Sequence, residues 1–152
     1  MDIQARSSEP VVRAVFEKLG GRATLGVDVA SAADLARIVS VRIPLKVLMY
    51  VKRTGSLSDA EIEHFIIPAR TRRHREHKKE RLTVEESDRL VRMARIQALA
   101  EDVLDDEAKA HTWLRQPLGM LNGKAPLELA QTEAGARVIE QILAKIDWGA
   151  AA

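Results

Sequence analysis

The sequence predicts an all-α protein, and three of its properties support that fold class. Ala, Leu, Val, Ile, Glu and Arg dominate while aromatic residues make up only 3% of the chain, a composition that favours helices over sheets. Apolar residues recur at helical spacing in several segments, the longest of which is 83–104. Ser, Thr or Asp precedes several of these segments, as expected for helix N-caps. With 152 residues and 46% apolar content, the chain can form one domain or two small ones.

Composition also narrows the class of function. The chain has no cysteine, which excludes structural disulfides and thiol chemistry. The four histidines are dispersed and suggest no metal cluster, so we expect no metal. The sequence has no Gly-rich phosphate loop and no nucleophile motif, so we also expect no cofactor and no catalysis. No apolar run approaches the roughly 20 residues that span a bilayer, and the N-terminus has no apolar signal-peptide segment. We therefore expect a cytoplasmic binding protein rather than an enzyme.

The N-terminal third contains predicted helices of modest length. Residues 1–10 are polar and end in proline, which predicts a disordered arm. A helix over 11–19 ends at a glycine pair, and residues 20–30 are expected to form a loop. Asp34 is the predicted N-cap of the next helix, and Pro44 is placed in the first turn of the one after it. These two helices could form a helix-turn-helix, but their apolar character favours a core or dimer surface.

Residues 57–81 are a stronger candidate for a DNA-binding helix-turn-helix. Ser58 and Glu61 have the spacing of a capping box, which predicts the start of a helix. Pro68 predicts a turn, and a basic helix over 69–79 follows it. This basic helix has no large apolar side chain, so we expect it to pack only through small groups and the aliphatic stems of its arginines.

The basic stretch 69–81 carries seven Arg or Lys against two Glu, a local net charge of +5. Basic side chains neutralise DNA phosphates, and Arg can read guanine in the major groove. The predicted base-reading residues are Arg70, Thr71, Arg73 and His74, and the predicted phosphate contacts are Arg72, Arg75, Lys78, Lys79 and Arg81. One such helix reads only a few base pairs, so DNA binding implies a homodimer. The alternative is a solvated charged face that binds no nucleic acid.

The periodic stretch 83–104 predicts a spine helix between the two halves of the chain. Thr83 and Glu86 repeat the capping-box spacing. Apolar residues cover most of the helix circumference, which implies burial on more than one side. At 1.5 Å per residue, the helix would be roughly 33 Å long. Asp105 and Asp106 then open a further helix, because acidic residues are favoured at helix N-termini.

A turn and two helices are predicted for the remaining segment. Asn122-Gly123 is a turn dipeptide, and Pro126 starts a short helix. Thr132 caps the last helix, for which Gly149 is the predicted end. Residues 98–152 carry five basic and nine acidic side chains, a local net charge of −4.

The two tryptophans lie in this segment and are given different roles. Trp113 is favoured as a core residue. Trp148 lies close to the end of the chain, where fewer residues can bury it, and so suits an interface anchor.

Motif residues of this segment occur in a fixed order and spacing. They are Trp113-Leu114, Pro117, Leu121, Gly123, Pro126-Leu127, Leu129, Thr132, Gly135 and Gly149. This string closely resembles the C-terminal toxin-binding domain of the Xre/MbcA/ParS antitoxin family. Further upstream the chain is similar to Xre-type helix-turn-helix domains. The residues that carry this second similarity are Leu57-Ser58, Pro68, Arg70-Thr71 and Arg75. Together the two resemblances cover residues 57–149.

The resemblance implies an antitoxin of a type II toxin–antitoxin pair, whose partner is a RES-domain toxin that consumes NAD. It implies that the end of the last helix reaches toward the active site of the toxin and closes it sterically. It also implies that a homodimer binds operator DNA and represses its own operon. The residues assigned to toxin binding are Trp113, Leu114, Asn122, Gly123, Pro126, Arg137, Lys145, Ile146, Trp148 and Gly149, with Asp147 as part of the blocking end.

The expected organisation has three parts: the arm 1–10, an N-terminal helical region 11–81 and a C-terminal toxin-binding domain 82–152. Two other functions remain possible at this point. One is a helix-turn-helix transcription regulator whose C-terminal half only dimerises. The other is an adaptor that binds protein and no DNA.

Overall fold

The computed structural model describes residues 9–151, and the side chains of residues 9–149. Over this range the chain forms ten α-helices, one 3-10 turn and no strand, which confirms the all-α prediction. The helices are α1 Glu9–Lys18, α2 Gly21–Leu25, α3 Ala32–Ser40, α4 Lys46–Arg53, α5 Asp59–Phe65, α6 Ala69–Lys78, α7 Val84–Leu104, α8 Glu107–Arg115, α9 Pro126–Leu129 and α10 Glu133–Ala151, with the 3-10 turn at Gly119–Leu121. None of the helices in the described range is long and apolar enough to cross a bilayer.

The chain divides into two compact units. The N-terminal unit is Val12–Val91, and the C-terminal unit contains the described residues from Arg92 onward. The helix α7 contributes its first two turns to the N-terminal unit and the remainder to the C-terminal unit. The predicted spine helix is therefore present as one continuous element.

The start of the chain differs from the sequence prediction in two places. The predicted disordered arm lies outside the described residues except for Glu9 and Pro10, which begin α1. Residues 20–30 are not entirely a loop, because α2 occupies Gly21–Leu25. A buried leucine, Leu25, holds this single turn against the unit, and left-handed glycines flank it on both sides.

The N-cap of α3 is Ser31 and not Asp34, which corrects the prediction. The Ser31 hydroxyl accepts a hydrogen bond from the backbone N–H of Asp34, 3.2 Å away. Asp34 stands three residues inside the helix, where its carboxylate accepts from the backbone N–H of Ala30 at 2.9 Å. The two side chains thus satisfy separate N–H groups at the same helix start, and Ser31 has the extended backbone that a cap requires.

The next helix, α4, begins at Lys46, two residues after Pro44. The Pro44 carbonyl accepts from the Val47 N–H at 3.1 Å, so the proline precedes the helix as part of a preceding turn.

The predicted helix-turn-helix segment forms α5, a turn and α6. Ser58 caps α5 and makes the predicted reciprocal capping box with Glu61. Ile62 and Phe65 are buried on the inner face of α5. The chain turns at Ile66 and Ile67, Pro68 precedes α6, and α6 ends in a left-handed residue, Lys79.

The C-terminal unit packs around the apolar faces of α7 and α10. The fully buried side chains include Ile96, Leu99, Leu114, Ile139 and Leu143. Asp106 caps α8 by accepting from the Lys109 N–H at 2.8 Å, as the acidic pair predicted.

The last helix begins as predicted but ends later. The Thr132 hydroxyl accepts from the Gly135 N–H at 3.0 Å and so caps α10. The helix does not stop at Gly149, because Ala150 and Ala151 extend it to Ala151. Alanine is the strongest helix former, and Gly149 is not among the residues with a positive φ. The glycine therefore does not act as a helix stop here.

Candidate DNA-binding and partner-binding faces

The exposed face of α6 is strongly cationic. Arg70, Arg73, His74 and His77 are exposed, and their spacing of three and four residues places them on one side of the helix. Lys78 and Lys79 are also exposed, at the C-terminal end of α6. Three of the predicted base-reading residues, Arg70, Arg73 and His74, are therefore brought together on one surface.

Thr71, Arg72 and Arg75 do not belong to this surface. Thr71 is half-buried, and the side chains of Arg72 and Arg75 are only 19% and 13% exposed. Arg75 forms an ion pair with Glu86 of α7, and Arg72 lies 3.8 Å from the carboxylate of Asp59 in α5. Carboxylates of neighbouring helices thus engage the guanidinium groups of Arg72 and Arg75, so the predicted role of these two residues as phosphate contacts stays a prediction that this arrangement does not favour.

Arg81 is exposed but is also engaged by the protein. Its guanidinium donates to the carbonyl of Arg42 at 2.9 Å, while Arg42 donates to the carbonyls of Arg81 and Leu82. These reciprocal bonds tie the segment after α6 to the segment before α4. Arg42 adopts a left-handed backbone, with φ of 72°, at this point.

Three polar side chains at the start of α7 contact three different parts of the N-terminal unit. Glu86 completes the capping box of α7, since its carboxylate accepts from the Thr83 N–H at 2.7 Å while the Thr83 hydroxyl accepts from the Glu86 N–H at 3.1 Å, and it also pairs with Arg75 of α6. The Ser87 hydroxyl accepts from the buried N–H of Ile43 at 2.9 Å. Arg89 donates to the carbonyl of Ile66, at the turn between α5 and α6, at 3.0 Å. The sequence prediction found Glu86 through its capping spacing but missed Ser87 and Arg89.

The Asp59 carboxylate lies between two cations. The ammonium of Lys52 in α4 is 2.7 Å from Asp59, and the guanidinium of Arg72 is 3.8 Å away. The hydrogen bond and charge of Lys52, followed by the charge of Arg72, lower the pKa of Asp59 below its ordinary value. Asp59 is therefore a stable anion that links α4, α5 and α6.

In the C-terminal unit, much of the motif is structural framework. Leu114, Leu121, Pro126 and Leu127 are buried inside the unit. Pro126 occupies the first turn of α9, where its missing N–H costs nothing. The assignment of Leu114 and Pro126 as toxin contacts is therefore corrected, because neither side chain reaches the surface.

Asn122 and Gly123 form the predicted turn. Both have positive φ angles, 55° and 80°, and the Lys124 N–H donates to the Leu121 carbonyl across them. On either side of the turn, the Leu118 N–H donates to the Lys124 carbonyl at 3.1 Å, and the Gly123 N–H donates to the Leu118 carbonyl at 2.9 Å. Glycine suits the left-handed backbone at position 123, so this part of the motif specifies a turn between α8 and α9.

Gly135 fills a position where no side chain fits. A Cβ atom built on Gly135 would lie 1.8 Å from the carbonyl oxygen of Leu129 and 3.0 Å from the hydroxyl of Thr132. The first turn of α10 therefore approaches the backbone of α9 directly. The Thr-x-x-Gly part of the motif holds α9 and α10 together and is not itself an exposed site.

The outward face of α10 carries the exposed members of the predicted toxin site. Arg137, Lys145 and Trp148 lie on the side of the helix opposite the buried Ile139 and Leu143. The Trp148 side chain is 59% exposed, an unusual position for so large an aromatic group. Asn122, Gly123 and Gly149 are also exposed, whereas Trp113, Ile146 and Asp147 are half-buried.

Met120, in the 3-10 turn, is 73% exposed and was missed by the sequence prediction. The available signal was a large apolar side chain between Gly119 and the Asn122-Gly123 turn, where a residue has little opportunity to join a core.

The architecture defines a class: a helix-turn-helix unit with a cationic outer helix, followed by a helical binding unit. Comparison with known families identifies both parts. Residues 34–95 match the antitoxin Xre-like helix-turn-helix domain, and residues 99–149 match the antitoxin Xre/MbcA/ParS C-terminal toxin-binding domain. The chain belongs to the Xre/MbcA/ParS antitoxin family. The first match starts 23 residues before Leu57, so the family domain includes most of α3 and all of α4, which the resemblance over 57–149 had left out.

Three relatives illustrate the similarity. Antitoxin Xre of Pseudomonas putida is 37% identical over 102 residues, which are 67% of this chain and 64% of that protein. Antitoxin Xre of Yersinia enterocolitica is 28% identical over 127 residues, 82% of this chain and 86% of that protein. The Prs ADP-ribosylating antitoxin of a Sphingobium species is 32% identical over 78 residues, 45% of this chain and 49% of that protein. The match to the Pseudomonas protein thus spans slightly less than two thirds of its length.

Proposed function

We propose that this protein is the antitoxin of a type II toxin–antitoxin pair and that it neutralises a RES-domain toxin, which consumes NAD. The observation that carries this proposal is the exposed Trp148 on the outer face of α10, within the residues that match a toxin-binding domain. Tryptophan is enriched among residues that dominate protein interfaces. The mechanism is steric: the outer face of α10 docks on the toxin, and its end covers the NAD pocket.

The remainder of the binding face follows from exposure and charge. Arg137 and Lys145 lie on the same side of α10 as Trp148. Asn122 and Gly149, two further residues of the motif, are also exposed. Residues 98–152 carry a local net charge of −4. This net charge favours long-range attraction to a basic toxin and would speed their encounter at low salt, whereas Arg137 and Lys145 place two cations at the contact face itself. Met120 is a further candidate contact because it exposes a large apolar side chain.

A growth-rescue experiment tests this proposal. The RES-domain toxin encoded next to this gene is co-expressed with the full chain, with Trp148→Ala and with a chain truncated after Ala144. We expect the full chain to restore growth and both variants to fail, because they remove the exposed anchor. A chain truncated after Gly149 is the matched control and should still rescue.

NAD consumption by the purified toxin separates loss of binding from poor expression. The purified full chain should inhibit NAD consumption, and purified Trp148→Ala should inhibit it much less. Equal inhibition by both proteins would show that the blocking element lies elsewhere. Failure of the full chain to inhibit would overturn the proposed toxin partner.

We further propose that a homodimer of this protein binds operator DNA and represses its own operon. Support comes from the exposed face of α6, where Arg70, Arg73, His74 and His77 share one side. This arrangement suits a recognition helix in the major groove, with Lys78 and Lys79 near the phosphates. A transcription regulator without a toxin partner would have the same face, and the rescue and NAD-consumption experiments distinguish it from an antitoxin.

DNA binding is measured on a duplex that covers the promoter upstream of this gene. The logarithm of the association constant should fall linearly with the logarithm of salt concentration, with a slope of several units. Repression of a reporter from that promoter should accompany binding. Absence of binding at low salt would favour an adaptor whose basic helix is only solvated.

A further inference from the structure

The helix α6 packs on the N-terminal unit without burying any of its residues. The neighbouring helices α3, α4 and α5 each bury at least two apolar side chains. Hydrophobic packing therefore fixes those helices, whereas α6 lacks the side chains for it. Its position must depend on other contacts.

The most enclosed of these contacts is the ion pair between Arg75 and Glu86. The Arg75 side chain is 13% exposed and the Glu86 side chain 8% exposed. Glu86 also accepts from the Thr83 N–H, so its position is set by the capping of α7. In such an enclosed pair, removal of one partner leaves a poorly solvated charge without compensation, which is strongly unfavourable.

A second contact joins α6 to α5. The guanidinium of Arg72 lies 3.8 Å from Asp59 and 4.0 Å from Glu76, with its side chain 19% exposed. Asp59 is held in turn by Lys52 of α4 at 2.7 Å. Arg72 and Arg75 thus face carboxylates of two different helices from the inner side of α6.

We propose that Arg72 and Arg75 are positioning residues, which dock α6 on the unit through Asp59 and Glu86 and thereby orient Arg70, Arg73 and His74 toward DNA. This inference rests on the DNA-binding part of the proposed function. It assigns opposite roles to neighbouring arginines of one helix: Arg70 and Arg73 bind DNA, and Arg72 and Arg75 hold the helix in place.

The substitution Glu86→Gln distinguishes this positioning role from a direct phosphate contact, because the two roles predict opposite changes in DNA affinity. Glu86→Gln raises the net charge of the protein by one unit and keeps an acceptor for the Thr83 N–H, since Glu and Gln both serve in capping boxes. If Arg75 contacts DNA, the substitution frees it and tightens binding. If Arg75 positions α6, the substitution loosens the helix and weakens binding.

The experiment compares the DNA affinity of the full chain with that of three variants, Glu86→Gln, Arg75→Met and the double variant Arg75→Met/Glu86→Gln. Glu63→Gln is the matched control, because Glu63 is exposed on α5 and undergoes the same change of charge. We expect Glu86→Gln and Arg75→Met each to weaken binding by about threefold or more. The double variant should bind better than Arg75→Met, because it contains no unpaired enclosed charge.

Hydrogen exchange in the DNA-free protein provides a readout that does not depend on DNA. In Glu86→Gln and Arg75→Met, the amides of α6 should exchange at least about tenfold faster, while those of α5 remain as protected as in the wild type. A general loss of stability would instead raise exchange in both helices. In Glu63→Gln, exchange in α6 should be unchanged.

Two results would overturn the inference. One is tighter DNA binding by Glu86→Gln than by Glu63→Gln. The other is unchanged exchange of α6 in Arg75→Met. If the wild-type chain binds no DNA, the proposed DNA-binding function fails, but the exchange measurement still decides whether the ion pairs dock α6.

Discussion

At the scale of single residues, Gly135 shows how a backbone contact selects an amino acid. Its N–H donates to Thr132, and its missing side chain leaves room for the carbonyl of Leu129. Any Cβ atom would force α9 and α10 apart at their junction. The requirement is steric and does not arise from the φ angle, since Gly135 lies within the helix.

We expect Gly135→Ala to lower the free energy of unfolding by about 1–3 kcal/mol, the usual cost of overpacking. Urea unfolding followed by circular dichroism measures this change. Gly149→Ala is the control on the same helix, because nothing lies within 4 Å of a Cβ at that position. It should leave stability unchanged or raise it by roughly 0.5–1 kcal/mol, since alanine favours helix. Equal stability of Gly135→Ala and the wild type would contradict the steric argument.

Asp34 illustrates how a charged residue can complement a cap. The backbone N–H of Ala30 donates to its carboxylate, which is the main reason that the pKa of Asp34 is lowered from 3.8. The ion pair with Arg37 and the hydroxyl of Ser31 act in the same direction. A carboxyl with a lowered pKa in the folded state stabilises the fold only while it is ionised.

This pKa shift predicts a pH-dependent contribution to stability. The contribution of Asp34 should be fully present above its ordinary pKa of 3.8 and lost as the pH falls through the lowered folded-state pKa. The wild type should therefore have a higher urea midpoint than Asp34→Asn at neutral pH, and the two midpoints should converge in acid. A difference that stays constant down to about pH 2 would exclude this ionisation as the cause.

At the scale of helices, α5 and α6 are stabilised in different ways. Helix α5 has a complete capping box and buries Ile62 and Phe65. Helix α6 has no side-chain cap and no buried residue, and its inner face carries ion pairs. Helix α5 thus follows the usual pattern of local cap and apolar face, while α6 depends on contacts with its neighbours.

The capping box of α5 makes a testable contribution. We expect Ser58→Ala to destabilise the protein by about 1 kcal/mol, because the Glu61 N–H loses its acceptor. Ser58→Asp retains an acceptor at the same position and should stay close to wild-type stability. Urea titrations of the three proteins measure the effect. Equal stability of Ser58→Ala and Ser58→Asp would show that water replaces the cap without cost.

At the scale of the whole molecule, two stretches of the chain carry opposite net charges. Residues 69–81 carry a net charge of +5, and residues 98–152 carry −4, although the whole chain has only +2. The cationic stretch belongs to the N-terminal unit, and nearly all of the acidic stretch is in matched toxin-binding residues. This distribution suits one surface for nucleic acid and another for a protein partner.

The separation predicts that the two proposed activities can be removed independently. Arg73→Met should weaken DNA binding and reduce the magnitude of its salt slope by about one unit, since one phosphate or base contact is lost. The same variant should still rescue cells from the toxin. Trp148→Ala should show the reverse pattern in the two assays. Loss of both activities in either variant would mean that the surfaces are not independent.

The features that the sequence by itself determined are helix caps and a turn, which depend on local hydrogen bonds. The capping pairs Ser58 with Glu61 and Thr83 with Glu86 are confirmed, as are the caps Asp106 and Thr132 and the Asn122-Gly123 turn. Each of these contacts joins residues at most three positions apart, so the sequence contains both partners side by side. The same locality caused the errors at Asp34 and Gly149, where a second candidate cap and a run of alanines competed with the expected signal.

Tertiary structure alone decided which side chains are available to a partner. Arg75 meets Glu86 eleven positions away, Arg72 meets Asp59 thirteen positions away, and Leu114 and Pro126 are covered by other helices. Spacing puts Arg70 and Arg73 on one side of α6 and Arg72 and Arg75 on the other, but it does not tell which side meets carboxylates, because the free energy of an ion pair depends on burial and distance in the folded chain. Only the packing of α5, α6 and α7 separates the arginines that hold the helix from those that face outward.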